Sequence, residues 1–85
     1  MHEIIMPRMA VTMQSGKIIQ WLKKVDDLVS KGEVLAIVEG EKTTFEIECS
    51  ESGVLRKIMH AVGSDVPVGE VIAIVGSPGD LELPS

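Results

Sequence analysis

"VLAIVEGEKTTFEIEC", Val34 to Cys49, divides into two runs of different character around a tight turn. Val34–Val38 is apolar without a break. Thr44–Cys49 alternates, with Phe45, Ile47 and Cys49 to one side and Thr44, Glu46 and Glu48 to the other. A period of two is what a half-buried strand imposes on its sequence. Gly40, Glu41 and Lys42 between the runs carry turn chemistry. The stretch therefore predicts a hairpin, Val34–Glu39 against Thr44–Cys49, with Lys42 at its tip.

Outward from this hairpin the chain repeats itself. "QSGKIIQWLKKVDDLVSKGEVLAIVE" from Gln14 aligns without a gap on "ESGVLRKIMHAVGSDVPVGEVIAIVG" from Glu51. The shift is 37 positions, which carries Gly32 onto Gly69. Ser15-Gly16 falls on Ser52-Gly53, Val25 on Val62, and Gly32-Glu33-Val34 on Gly69-Glu70-Val71. Valines recur in any pair of strands; the matched glycines and the shared Gly-Glu-Val do not.

Each half reads as short strands between turns. The strands expected are Glu3–Met6, Gly16–Leu22, Leu28–Val29, Val34–Glu39, Thr44–Cys49, Gly53–Ile58, Asp65–Val66 and Val71–Val75. No helical period stands out; the best candidate, "WLKKVDDLV", is broken by Asp26-Asp27. The expected fold is all-β: a flattened barrel or sandwich of two similar four-stranded sheets related by a pseudo-two-fold axis. Val34–Val38 and Val71–Val75 are apolar on both faces, so alternation does not assign their inward side.

Composition bounds the function. An 85-residue chain with 45% hydrophobic residues suits one small domain with a thin core. It has no room for a Rossmann unit, a kinase lobe or a barrel enzyme. Thirteen acidic against eight basic residues give a net charge of −5, and one Trp and one Phe are the only aromatics. Such a surface repels nucleic acid and offers little for bases to stack on. Cys49, the only cysteine, can form no internal disulfide, which fits a reducing compartment. No apolar run is long enough to span a bilayer, and "MHEIIMPRM" lacks signal-peptide shape. No membrane association is expected, and the cytoplasm or an organelle matrix is the expected location. Ser77, Pro78, Gly79 and Pro84 interrupt the pattern, so the domain is expected to span residues 1–76 and a flexible linker to begin over 77–85.

The inventory argues against an enzyme. His2 and His60 are the only histidines and have no Ser or Cys partner at a telling spacing. His60 reads as a strand-end surface residue, and Cys49 as packing inward with Phe45 and Ile47. Two His and one Cys are too scattered for a structural metal site. Lys42 is different. A lysine becomes a catalyst through burial or a second cation, whereas Glu39, Glu41 and Glu46 surround this one. It is placed to be reached by another protein, although most turn lysines are simply solvated charges.

The surrounding frame gives that lysine a context. "IIMPRMAVTMQSGKIIQWLKKVDDLVSKGEVLAIVEGEKTTFEI" resembles the lipoyl domains of the acyltransferase components of 2-oxo acid dehydrogenase complexes. The resemblance lies in Met-Pro near the start, Thr-Met before Ser-Gly, Trp-Leu, and Lys-Gly-Glu before the hairpin, and covers about Glu3 to Val75. The attachment motif of that family, Glu-Thr-Asp-Lys-Ala, corresponds to Glu39-Gly40-Glu41-Lys42-Thr43. Glu39 and Lys42 match, Glu41 keeps the acid, and Gly40 and Thr43 depart, as does Ala10 where Gly is common.

The resemblance implies lipoate in amide linkage on Lys42, presented by Glu39, Gly40, Glu41 and Thr43. It implies a swinging arm that visits a thiamine-diphosphate-dependent decarboxylase, an acyltransferase core and a flavoprotein dihydrolipoamide dehydrogenase. It also implies a lipoate ligase or lipoyltransferase that installs the arm on a monomeric domain. Arg8, Val11 and Thr12, in the loop before the second strand, are the expected partner-recognition residues. "MPRMAVTMQSG" favours a pyruvate, branched-chain or acetoin complex over a 2-oxoglutarate one. A biotin carrier shares the fold, but its hallmark is Met-Lys-Met and here Glu41 and Thr43 flank the lysine. A glycine-cleavage carrier and an unmodified structural β-hybrid module stay open as well.

Overall fold

The computed structural model describes residues 2–76. Eight strands follow one another: β1 His2–Ile5, β2 Ser15–Trp21, β3 Leu28–Val29, β4 Val34–Glu39, β5 Thr44–Glu48, β6 Gly53–Ile58, β7 Asp65–Pro67 and β8 Val71–Gly76. No helix occurs among the described residues. Every strand lies where the sequence placed it, with ends moved by one residue at most. The expected linker over 77–85 lies outside the described residues.

The strands form two four-stranded antiparallel sheets, ordered β1-β8-β6-β3 and β5-β4-β2-β7. The two orders correspond strand for strand. The shift of 37 carries β2, β3 and β4 onto β6, β7 and β8, and Met6 after β1 corresponds to Cys49 after β5. Hydrogen bonds outside the ladders obey the same relation. Leu22 N donates to Leu35 O at 2.8 Å, as Met59 N does to Ile72 O at 2.8 Å. Cys49 N donates to Glu33 O at 2.8 Å, as Met6 N does to Glu70 O at 2.9 Å. The duplication seen in the sequence is therefore a pseudo-two-fold axis in the molecule.

The core lies between the sheets. Ile18, Leu35, Val38, Leu55, Ile72 and Val75 supply it from the central strands, and Met6, Met13, Ile47, Cys49 and Val66 close it. Cys49 and Ile47 are buried, and Phe45 packs half-buried against them, as the alternation predicted. The inward face of β4 was illegible because the strand does not alternate. Leu35 and Ala36 are consecutive and both buried, and the register with β5 shifts between Val34 and Ala36. Ile72 and Ala73 repeat the pattern in β8. A bulge turns two successive side chains toward one face, so a strict period of two fails there.

Gly16 and Gly53, matched in the repeat, hold equivalent close approaches. A Cβ on Gly16 would stand 2.6 Å from Val38 Cγ1, and one on Gly53 would strike the carbonyl of Gly76. In both halves the glycine lets the strand lie directly against its neighbour.

The symmetry breaks at one place. Seven residues, 7–13, separate Met6 from Gln14, whereas Ser50 alone separates the equivalent Cys49 from Glu51.

Candidate functional site: the β4–β5 hairpin and its flanking loop

The hairpin closes by pairing Glu39 with Thr44, and Gly40 N donates to Thr43 O at 2.8 Å. The Thr43 hydroxyl donates to Thr44 O at 3.2 Å, bracing the return. Glu41, Lys42 and Thr43 are all exposed. Among the described residues the Lys42 ammonium joins no ion pair. Gly40 is not in the left-handed region. Its role is proximity: a Cβ there would stand 3.2 Å from Phe45 Cε1 and 3.3 Å from Thr43 O, so the Phe45 ring leans over the turn.

The inserted loop lies against this hairpin. Thr12 Oγ1 donates to Glu41 Oε2 at 3.2 Å, tying the loop to the residue before Lys42. Arg8 Nη1 donates to Val11 O at 3.0 Å, and Met13 N to Ala10 O at 3.0 Å, so the loop is braced internally. Val11 projects outward, 88% exposed. The three residues singled out in the sequence thus differ: Thr12 touches the hairpin, Arg8 shapes the loop, and Val11 faces away from the protein.

Sequence reasoning missed the space between loop and hairpin. Met9, Ala10, Thr12 and Met13 face Gly40–Thr43 and Phe45 across a pocket of about 120 Å³. Its walls are largely apolar. The one available signal was the methionine spacing, Met9 and Met13, before the Ser-Gly that opens β2. The opposite flank of the hairpin is polar, a shallow groove among Ser15, Lys17, Glu39, Glu41 and Asp65. Ser15 Oγ donates to Asp65 Oδ1 there at 3.2 Å.

The first and last described residues lie at the other pole. His2 pairs with Val75, and its ring contacts Ser50 and Glu51 just beyond β5. Thr44 to Ser50 along β5 spans about 20 Å at the usual rise per strand residue. His60 sits just after β6, where its carbonyl accepts the Trp21 indole N–H at 2.9 Å and its ring meets Glu70 at 3.1 Å. Among the described residues no helix is long and apolar enough to cross a membrane.

A two-sheet β body with an exposed lysine at a hairpin tip has the shape that a carrier-type domain needs. A family model described as "Biotin-requiring enzyme", covering biotin and lipoyl attachment, matches residues 2–75, and the chain belongs to this family. Component 3 of the mitochondrial pyruvate dehydrogenase complex of Arabidopsis thaliana, a dihydrolipoyllysine-residue acetyltransferase, is 55% identical over 74 residues. That match covers 86% of this chain and 14% of the relative. The dihydrolipoyllysine-residue succinyltransferase of the 2-oxoglutarate dehydrogenase complex of Staphylococcus saprophyticus is 40% identical over 76 residues, 89% of this chain and 18% of the relative. The chain thus spans less than a fifth of either relative. The solution structure of the lipoyl domain of the Azotobacter vinelandii 2-oxoglutarate dehydrogenase complex superposes with a TM-score of 0.74. It is 24% identical, the match covers 88% of this chain and 95% of that one, and the likeness shows the shared fold.

Proposed function

We propose that this chain is a lipoyl carrier domain, residues 1–76, in which Lys42 bears lipoate in amide linkage. The observation that carries the reading is the exposed Lys42 at the tip of the one hairpin that joins the two symmetric halves. The residues fit the group. The amine stands clear of the body where a modifying enzyme can reach it, and the hairpin is closed by its own backbone bond, so acylating the lysine disturbs no packing. Glu41 and Thr43 in place of flanking methionines support lipoate over biotin, as do the names of the relatives.

Bound lipoate supplies a dithiolane that accepts an acyl group with two reducing equivalents and passes both on. The protein's part is presentation. Gly40 and Thr43 fix the turn, and Glu39 and Glu41 keep it hydrated. Thr12 ties the recognition loop of Arg8, Val11 and Thr12 to the same edge. The partners of this reading are a lipoate ligase or lipoyltransferase, a thiamine-diphosphate-dependent decarboxylase, an acyltransferase core and a dihydrolipoamide dehydrogenase. The parent protein is a dihydrolipoamide acyltransferase in the cytoplasm or the mitochondrial matrix, with a linker beginning over 77–85 that keeps the monomeric domain close to the other components. The higher identity to a pyruvate-complex component supports a pyruvate, branched-chain or acetoin complex.

The test is to incubate the chain with lipoate ligase, ATP and lipoate and to map the modified peptide. Modification on Lys42 alone is expected, and none on a folded Lys42→Arg variant. Label on Lys17, Lys31 or Lys57, or no label, overturns the reading.

A further inference from the structure

The apolar pocket beside the hairpin is not explained by presentation alone. A lysine that only needs to be reached needs no cavity at its side. Met13 forms a floor that is 2% exposed. Its sulfur accepts the Met9 backbone N–H at 3.4 Å, which keeps the loop folded over the cavity. Met9 itself is 58% exposed at the mouth. Phe45 forms the opposite wall, its ring close enough to Gly40 that a Cβ there would stand 3.2 Å from Cε1. The loop wall also belongs to the seven-residue segment that the other half of the molecule replaces with Ser50 alone. The asymmetry of the fold and the apolar pocket are one feature, and it adjoins Lys42.

We propose that this pocket seats the dithiolane end of the arm on Lys42, folded back among Met9, Met13 and Phe45, so that the arm alternates between a docked and an extended state. The proposal rests on the lipoylation reading. Its chemistry follows from the walls. Thioether sulfur and an aromatic ring are soft, polarisable neighbours for a disulfide ring. The amide removes the lysine's charge, whereas a bare ammonium could not enter an apolar site without losing its hydration. Two methylene runs joined by an amide are flexible enough to reverse direction. A cavity of about 120 Å³ admits a small five-membered ring. The ureido ring of biotin would meet largely apolar walls there and find few partners for its polar groups.

The experiment uses the whole chain with methyl-labelled methionine, lipoylated by ligase and shown by intact mass to be fully loaded. Nuclear Overhauser contacts between the dithiolane protons and the methyls of Met9 and Met13 are expected, with amide shift changes at Met9, Met13 and Phe45. Ala10→Phe, which fills the pocket from an exposed position, should abolish these contacts. Met9→Glu, which puts a carboxylate at the mouth and leaves the core untouched, should do the same. A loaded chain without such contacts, its shift changes confined to residues 41–43, overturns this proposal alone. So do contacts to the Met13 methyl that persist undiminished in both variants. A folded chain that the ligase leaves unmodified overturns the carrier reading and this proposal with it.

Discussion

Asp26 and Gly63 occupy the same place in the two halves and share one backbone conformation, with φ of 80° and 93°. Each directs its N–H across to the other sheet: Asp26 N donates to Leu55 O and Gly63 N to Ile18 O, both at 2.7 Å. Leu55 and Ile18 are themselves partners under the shift of 37. The left-handed conformation is open to glycine and costs an ordinary residue on the order of 1 kcal/mol. Nothing lies within 4 Å of a Cβ built on Gly63, so Gly63→Ala isolates that cost. Denaturant unfolding should show Gly63→Ala less stable by about 1 kcal/mol, and Asp26→Gly more stable by up to about 1 kcal/mol. Equal stability of all three proteins would contradict the strain assigned to Asp26.

Leu35 and Ile72 are equivalent by the same shift, and both are 0% exposed. Truncation of either to Ala should cost about 2–5 kcal/mol. The two losses should agree within about 1 kcal/mol if the halves share one core, a tolerance comparable to the scatter of such values. A Tm for Ile72→Ala equal to that of the parent would mean that the second sheet does not close on the first.

Lys23 Nζ lies 2.8 Å from Glu33 Oε2, and Ser30 N donates to Glu33 Oε1 at 2.8 Å. The hydrogen bond from Lys23, then that from Ser30, holds the Glu33 carboxyl below its ordinary value of 4.5. The same bond to Glu33 raises Lys23 above 10.5. A lowered carboxyl contributes stability that is complete above 4.5 and is lost as pH falls through the lowered value. A raised amine contributes stability that is complete below 10.5 and is lost as pH rises through the raised value. The pair therefore favours the fold across the whole neutral range, by a small and salt-screened amount because both groups are partly exposed. Glu33→Gln should flatten the acid limb of a plot of Tm against pH, with its largest effect at low ionic strength. An unchanged acid limb would assign that limb to other carboxylates.

The position of Lys42, rather than the linear motif, should govern modification. Gly40 and Thr43 already depart from the usual attachment motif, while the turn is closed by the Gly40–Thr43 bond. Exchanging the two residues, Glu41→Lys with Lys42→Glu, keeps composition and charge but moves the lysine one place along the turn. A one-residue move in a tight turn redirects a side chain sharply. Intact-mass time courses should show lipoylation of the exchanged protein nearly abolished, and that of Glu41→Ala slowed modestly at most. Equal rates for exchanged and native proteins would show that tip geometry is not what the ligase reads.

Most of the fold was legible because it is written twice. A gapless repeat with matched glycines pointed to two similar four-stranded sheets, and Phe45-Glu46-Ile47-Glu48-Cys49 to the inward face of β5; the order of strands within each sheet depends on long-range pairing that no local pattern carries. The inward face of β4 was hidden by its bulge, since Leu35 and Ala36 both turn inward and no period reports that. Lys42 was visible as a tip residue because turn chemistry is local. The pocket was not, because Met9 and Phe45 are 36 positions apart and meet only when the inserted loop folds onto the hairpin. Gly40 read as a turn former, and the nearness of the Phe45 ring to it was not legible.

The pseudo-two-fold axis leaves the figure open at a single point. Val38 and Phe45, which pair beside the hairpin, correspond under it to Val75 and His2, which pair in the same way. A five-residue bridge from Gly76 to His2 would be the two-fold counterpart of Gly40–Thr44. It would turn an open strand path into a ring, and the ring could then be cut at the original hairpin without changing a strand pairing. Given Glu-Lys in its centre, the bridge would hold a second lysine out at the opposite pole, a two-headed carrier on one body. Only the first head would have a loop beside it, so the two arms of such a protein would differ in their surroundings.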